Sequence, residues 1–229
     1  MDTAIIISSL SVILTSALLI ITGLKKQPGI GVIGAVVIIA LALWQRGKGL
    51  TSIGLSAPEN WWTTVLLALM LGIVIQLLSI VLIEPLSEKL THSRHDFSIL
   101  DNVKGNWKAL LQWLLMVWIL VAFLEEGVYR GFLMSEIKEI VGVGLGAVIL
   151  NVVFTSIVFG LSHGYQGRSG MLSTGLVGIL LAAIFVVNDY NLWLPILTHG
   201  FIDTVGISLI AIDGDKRIRD FIWKDQKSS

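Results

Sequence analysis

The chain has 229 residues, of which 55% are hydrophobic and 14% are charged, and its formal net charge is zero. About a quarter of the residues in soluble domains are charged, so this composition is typical of a polytopic membrane protein. Its long apolar runs do not alternate as the strands of a membrane barrel would. The neutral balance predicts no nucleic-acid partner, and the lack of cysteine excludes disulfides, zinc–thiolate sites and a thiol nucleophile.

Seven apolar segments are long enough to cross a membrane as helices. They predict an all-α, polytopic bundle of seven transmembrane helices, with eight as the alternative. The polar stretch between the third and fourth spans is predicted to lie on the surface, with His92 and His95 on a solvated face. In chain order the predicted spans are Ala4 to Leu24, Gly29 to Trp44, Trp61 to Ile83, Lys108 through the pair Glu125-Glu126, a fifth ending at His163, Met171 to Val187, and Leu192 to Ile212.

The lysines and arginines predict the orientation of these spans. With seven spans, twelve of the sixteen Lys and Arg residues share the side of the C-terminus. Cytoplasmic segments are enriched in these residues, so the C-terminus is predicted to be cytoplasmic.

Charged residues interrupt the fourth span at Glu125, Glu126 and Arg130. A charge in the membrane interior costs about 2.5–3.5 kcal/mol even on the lenient insertion scale, so its default interpretation is functional. Glu126 and Arg130 have the spacing of an ion pair within one helix, which leaves Glu125 as the better candidate for a general base. Gly127 and Gly131 predict a face that another helix can approach closely. The alternative is that the three charges only form a packing network between helices.

Two later spans carry histidines. His163 ends the fifth span, and His199 lies four residues before Asp203 on one face of the seventh. Asp203 could hold one ring nitrogen of His199, although such a pair could also simply join two helices. Ser162 falls in a G-x-S-x-G pattern, but the nucleophile elbow needs a strand before it, so Ser162 is interpreted as an ordinary helix residue.

The spacing predicts that these groups meet. Glu125 and His163 are each 19 residues from position 144, so a hairpin there places both about 28 Å from the turn. His199 reaches this level only if the glycine-rich segment 164–170 is sunk in the membrane around a cavity.

Three motifs then appear in order: Glu125-Glu126-x-x-x-Arg130, Phe159-x-x-x-His163 and His199-x-x-x-Asp203. Together they resemble the CPBP intramembrane proteases, which include the Rce1-type CAAX prenyl proteases and the bacteriocin-processing or self-immunity (Abi) proteins. The resemblance implies a helical bundle with a central catalytic cavity and cleavage near the end of a membrane-associated peptide or lipidated substrate. It divides the chain into N-terminal helices with a surface segment (1–106), a catalytic core (107–212) and a charged cytoplasmic tail (213–229).

The resemblance also implies roles for the residues. Glu125 and His163 would activate the attacking water, and His199 with Asp203 would stabilise the oxyanion or order the site. Glu126 with Arg130 would be structural support. Asparagine is more usual in the family where this chain has Asp203, so we assign Asp203 mainly to orienting His199. A metal-free site is favoured, and a divalent metal such as zinc held by Glu125, His163 and His199 is the alternative.

The sequence is also compatible with two other functions. A non-proteolytic membrane scaffold or bacteriocin-immunity partner could use the same fold without cleaving a substrate. A small transporter could use the buried acids as a proton relay, although the sequence shows no internal repeat.

Overall fold

The computed structural model describes residues 3–223, which are mostly helical and contain no β-strand. Seven of the helices are long and apolar enough to cross a membrane, so the predicted all-α polytopic bundle of seven spans is confirmed. An eighth, shorter helix follows them. The helices are α1 Thr3–Leu24, α2 Pro28–Gln45, α3 Trp61–Thr91, α4 Trp107–Val141, α5 Leu145–Ser162, α6 Gly167–Val187, α7 Trp193–Ala211 and α8 Gly214–Trp223. The division at residues 106 and 212 and the cytoplasmic C-terminus stay predictions.

The predicted surface stretch between the third and fourth spans is wrong at its start. The α3 helix continues through a π-helical turn, Ser79–Ile83, and ends only at Thr91. Glu84 in this extension is 5% exposed, and its carboxylate lies near the Ser79 hydroxyl group (3.3 Å) and the Arg219 guanidinium (3.7 Å). Because these partners accompany the carboxylate, a charge that marks a helix end in the sequence is instead buried within the helix.

The outer surface of the bundle is apolar, as expected where lipid replaces water. Tryptophans near helix ends are among the most exposed side chains, with Trp44 at 81% and Trp62 at 80%. Such residues are typical of the membrane–water interface. Inside, Phe132 and Phe185 are fully buried in separate apolar clusters.

Close helix contacts bring the N-terminal spans against the region of the three motifs. The α3 helix packs along α7, α5 packs along α6, and α1 packs against both α2 and α5. At Gly23 in α1, a Cβ atom would lie 2.0 Å from the carbonyl oxygen of Ser162, so only glycine allows this approach. The first span carries no motif, yet it fixes the end of α5 beside His163.

The predicted close approach at Gly127 and Gly131 is only half right. A Cβ atom on Gly131 would lie 2.8 Å from Leu192 Cδ1 and 3.0 Å from the carbonyl oxygen of Ile53, whereas one on Gly127 would meet nothing within 4 Å. The groups that approach Gly131 belong to a short 3₁₀ turn and to the residue before α7. The small-residue face therefore receives these connecting segments rather than another spanning helix.

Candidate active site

The three motifs converge on one turn of α4. After Glu126 the helix widens into a π-helical turn, Gly127–Leu133, a deviation often found at functional sites. Glu126 and the two polar side chains Tyr129 and Arg130 from this turn are each at most 1% exposed. Each of the three forms a polar contact with a different helix, so the turn connects α4 to α5, α6 and α7.

Glu126 joins two cations. Its Oε1 atom lies 2.8 Å from Arg130 Nη1, so the ion pair predicted from the sequence is present. The same oxygen lies 2.8 Å from His199 Nδ1 on α7, a contact that sequence reasoning missed. Glu126 therefore does more than pair with Arg130, because it also holds the ring of His199.

Arg130 is held from three sides. Besides Glu126, its Nη2 atom donates a hydrogen bond to the carbonyl oxygen of Gly178 on α6 at 3.0 Å. The guanidinium carbon lies 4.4 Å from the centre of the Phe159 ring, within range of a cation–π interaction. Arg130 thus links Phe159 of the second motif to Glu126 of the first.

His163 and Glu125 face each other, as the spacing predicts. His163 follows the last residue of α5, and its Nε2 atom lies 3.8 Å from Glu125 Oε2. That carboxylate oxygen is buried and has no hydrogen-bond partner among residues 3–223. His163 Nδ1 lies 2.7 Å from the carbonyl oxygen of Phe159, which can only accept, so Nδ1 carries the proton and a neutral ring presents a lone pair at Nε2.

His199 has different surroundings. Its Nδ1 atom is bound by Glu126, and its Nε2 atom lies 3.6 Å from Asp203 Oδ2. The second distance exceeds that of a normal hydrogen bond, so Glu126 is the closer partner and Asp203 is not the main orienting group. Nδ1 is therefore engaged by Glu126, whereas Nε2 faces Asp203 from beyond hydrogen-bond distance.

Two further side chains near the site were missed or misread from the sequence. Tyr129 donates a hydrogen bond to Ser162 Oγ at 2.6 Å, so Ser162 is more than an ordinary helix residue. A tyrosine inside a membrane helix needs a polar partner, and this signal could have pointed to the contact.

His95 does not lie on a solvated face as expected, although His92 is exposed. The His95 ring stacks on the Phe97 ring with their centres 3.9 Å apart, and His95 Nδ1 lies 3.2 Å from Ser173 Oγ. Burial lowers the pKa of His95 to about 4, so the ring is neutral at physiological pH.

A cavity of about 220 Å³ joins these groups. Its walls include the predicted site residues Glu125, His163, His199 and Asp203, and also Tyr165 and Gln166 from the irregular segment after α5. Irregular backbone was predicted over 164–170, but only Gly164–Gln166 forms a 3₁₀ turn against the cavity, and the α6 helix already begins at Gly167. The cavity continues past His95 to Glu84 and Asp215.

The donor groups do not match the three-ligand metal site that the sequence left open. Among residues 3–223, no group of three or more His, Asp or Glu side chains is placed to hold a metal ion. His199 Nδ1 is already bound to Glu126 at 2.8 Å, so that nitrogen is not free to join Glu125 and His163 as a ligand.

Comparisons with known proteins agree with the sequence motifs. The family model described as "Type II CAAX prenyl endopeptidase Rce1-like" matches residues 106–205, a stretch that includes all three motifs. No curated protein and no solved structure matches the chain. Residues 106–205 are thus similar to the Rce1-like family, in agreement with the CPBP group that the three motifs resemble.

Proposed function

We propose that this protein is an intramembrane endopeptidase in which Glu125 activates a water molecule to attack a peptide bond near the end of a membrane-associated, prenylated or otherwise lipidated substrate. The observation that carries the proposal is the pair formed by Glu125 Oε2 and His163 Nε2. The two atoms lie 3.8 Å apart in the wall of the cavity. Both are acceptors, so a water molecule between them can donate one hydrogen to each.

The partners of the two histidines support different roles for them. His163 donates from Nδ1 to a carbonyl oxygen, so its Nε2 atom accepts a hydrogen bond and suits the holding of water. His199 is bound through Nδ1 to Glu126, and its Nε2 atom lies 3.6 Å from Asp203, beyond a normal hydrogen bond, so an Nε2–H group can donate to a substrate. A donor is what a developing oxyanion needs, and we assign His199 to that role.

The reaction follows from these assignments. Glu125 takes a proton from the water molecule while the water oxygen bonds to the scissile carbonyl carbon. His199 donates a hydrogen bond to the resulting oxyanion. The carbon–nitrogen bond then breaks, and Glu125 returns the proton to the leaving amine. Glu126 and Arg130 hold His199 and Phe159 in place, and Asp203 adds negative charge beside His199.

The test uses purified protein and an internally quenched farnesyl-peptide. We expect Glu125→Gln and His163→Gln each to lower kcat at least ~100-fold, because a general acid–base contributes about 10²–10⁴-fold. Glu59→Gln is the matched control, since Glu59 is exposed and lies outside the cavity. EDTA should leave the rate unchanged.

The alternative functions predict other outcomes. Cleavage by Glu125→Gln at the wild-type rate would refute the proposal. No cleavage by the wild-type protein, together with substrate binding that survives Glu125→Gln, would favour a non-proteolytic scaffold or immunity partner.

A further inference from the structure

One buried hydrogen bond connects the helix of Glu125 directly to the residue beside His163. Tyr129 lies one turn after Glu125 on α4 and is 1% exposed. Its hydroxyl group donates to Ser162 Oγ at 2.6 Å, and Ser162 immediately precedes His163. This contact therefore connects the helix that carries Glu125 to the end of the helix that precedes His163, and it does so outside the cavity.

The donors and acceptors around this bond fix its direction. The carbonyl oxygen of Phe159 can only accept, and Ser162 Oγ and His163 Nδ1 each lie 2.7 Å from it. Ser162 therefore donates its single hydrogen to Phe159 and accepts from the Tyr129 hydroxyl group at 2.6 Å, while His163 Nδ1 lies farther from Ser162 Oγ, at 3.3 Å. The Tyr129 hydrogen points to Ser162, and the hydrogens of Ser162 and His163 Nδ1 point to Phe159, which leaves the Nε2 lone pair of His163 facing Glu125.

The ring of His163 needs such support because its backbone has left the helix. His163 has φ −93° and ψ 27°, and carbonyl groups in the last turn of a helix lack partners within it. From the other side, Gly23 of α1 lies against the carbonyl oxygen of Ser162. Ser162 is thus held between α1 and Tyr129, and His163 follows its position.

We propose that Tyr129 is a positioning residue which, through Ser162, holds His163 at the distance from Glu125 that water activation requires. This inference rests on the function proposed above. Tyr129 does not line the cavity, so it acts on the reaction only through its neighbours. A misplacement of a reacting group by about 1 Å can lower a rate ~100-fold, so a small shift at the end of α5 would be measurable.

A double-mutant cycle separates positioning from simple stability. Tyr129→Phe leaves Ser162 Oγ without its donor, and Ser162→Ala leaves the Tyr129 hydroxyl group buried without an acceptor. The double variant leaves neither group unsatisfied, so its folded state should recover much of the stability that each single variant loses. Tyr190→Phe is the matched control, because Tyr190 lies in the connection between α6 and α7, outside the cavity.

Steady-state cleavage of the farnesyl-peptide gives the first measurement. We expect Tyr129→Phe and the double variant each to lower kcat by about ten- to a hundredfold with little change in KM, because ground-state binding is not affected. Thermal unfolding of the same samples should show the double variant to be more stable than either single variant. Wild-type kcat in Tyr129→Phe, or recovery of kcat together with stability in the double variant, would overturn the inference.

A second measurement requires no substrate. The chain has four histidines, so the ring-nitrogen NMR signal of His163 can be assigned from its loss in His163→Gln. We expect this signal to shift in Tyr129→Phe and in the double variant but not in Tyr190→Phe. An unchanged signal in both would refute positioning, whereas a shifted signal in a protein whose Glu125→Gln variant keeps full activity would refute only the proposed function.

Discussion

The contacts of Glu126 predict a large effect on stability from a change of charge alone. Glu126 is 0% exposed and pairs with Arg130, which is 1% exposed. Removing one member of a buried ion pair costs about 3–5 kcal/mol, because the other charge remains in a medium that solvates it poorly. Both hydrogen bonds of Glu126 end on Oε1, while Oε2 has no hydrogen-bond partner within residues 3–223.

These contacts distinguish two substitutions at the same position. In Glu126→Gln the amide oxygen can still accept from Arg130 and His199, so mainly the charge is lost, and we expect a cost of about 3 kcal/mol. Glu126→Ala also removes both hydrogen bonds, and we expect about 5 kcal/mol. The free energy of unfolding would be measured by titrating the purified protein from mild detergent into SDS, with helix content as the signal.

The neighbouring glutamate provides the control for this prediction. Glu125 has no arginine partner and lies in the cavity wall, so Glu125→Gln should change the free energy of unfolding by less than about 1 kcal/mol. The reasoning would be refuted if Glu126→Gln stayed within about 1 kcal/mol of the wild type. Equal losses from the two Gln variants would also refute it, because burial of the ion pair would then not be the cause.

Two further predictions concern residues outside the motifs. Gly23→Ala would place a Cβ atom 2.0 Å from the carbonyl oxygen of Ser162, so we expect this variant to displace the end of α5 and lower the cleavage rate at least ~10-fold. Gly29→Ala is the control and should leave the rate unchanged, because a Cβ atom there would meet nothing within 4 Å. A cleavage rate in Gly23→Ala equal to that in Gly29→Ala would contradict this. Burial lowers the pKa of His95 from 6.5 to about 4, so the unfolded chain binds the proton more readily than the folded one. We therefore expect protonation of His95 to lower the free energy of unfolding as the pH falls from about 6.5 to about 4. Unfolding curves of His95→Asn should show a weaker pH dependence in this range, and an unchanged dependence would refute the assignment.

Local patterns were sufficient to predict the spans and the contacts within one helix. Apolar length predicted seven helices, and the spacing of four residues predicted the Glu126–Arg130 ion pair. Equal distances from the hairpin at position 144 were enough to predict that Glu125 and His163 meet. Each of these features depends on helical geometry alone, which the sequence determines directly.

Contacts between helices could not be predicted in the same way. The partner of His199 Nδ1 is Glu126, 73 residues earlier, rather than Asp203 on the same helix face. That choice depends on how α4 and α7 are rotated against each other, and the π-helical turn Gly127–Leu133 departs from the α-helical spacing on which sequence patterns rely. The position of His95 was mispredicted for a similar reason. Its segment has a polar sequence, yet the His95 ring stacks on Phe97 and both residues line the cavity.

The route of the cavity affects where a substrate can be cut. The proposed hydrolysis consumes one water molecule in each turnover, and lipid cannot supply that water. The cavity extends from Glu125 towards Glu84 and Asp215, and Asp215 belongs to the short helix that follows the last span. We therefore expect water to enter from the side of the bundle where that helix lies, and peptide bonds presented from the opposite side to remain intact.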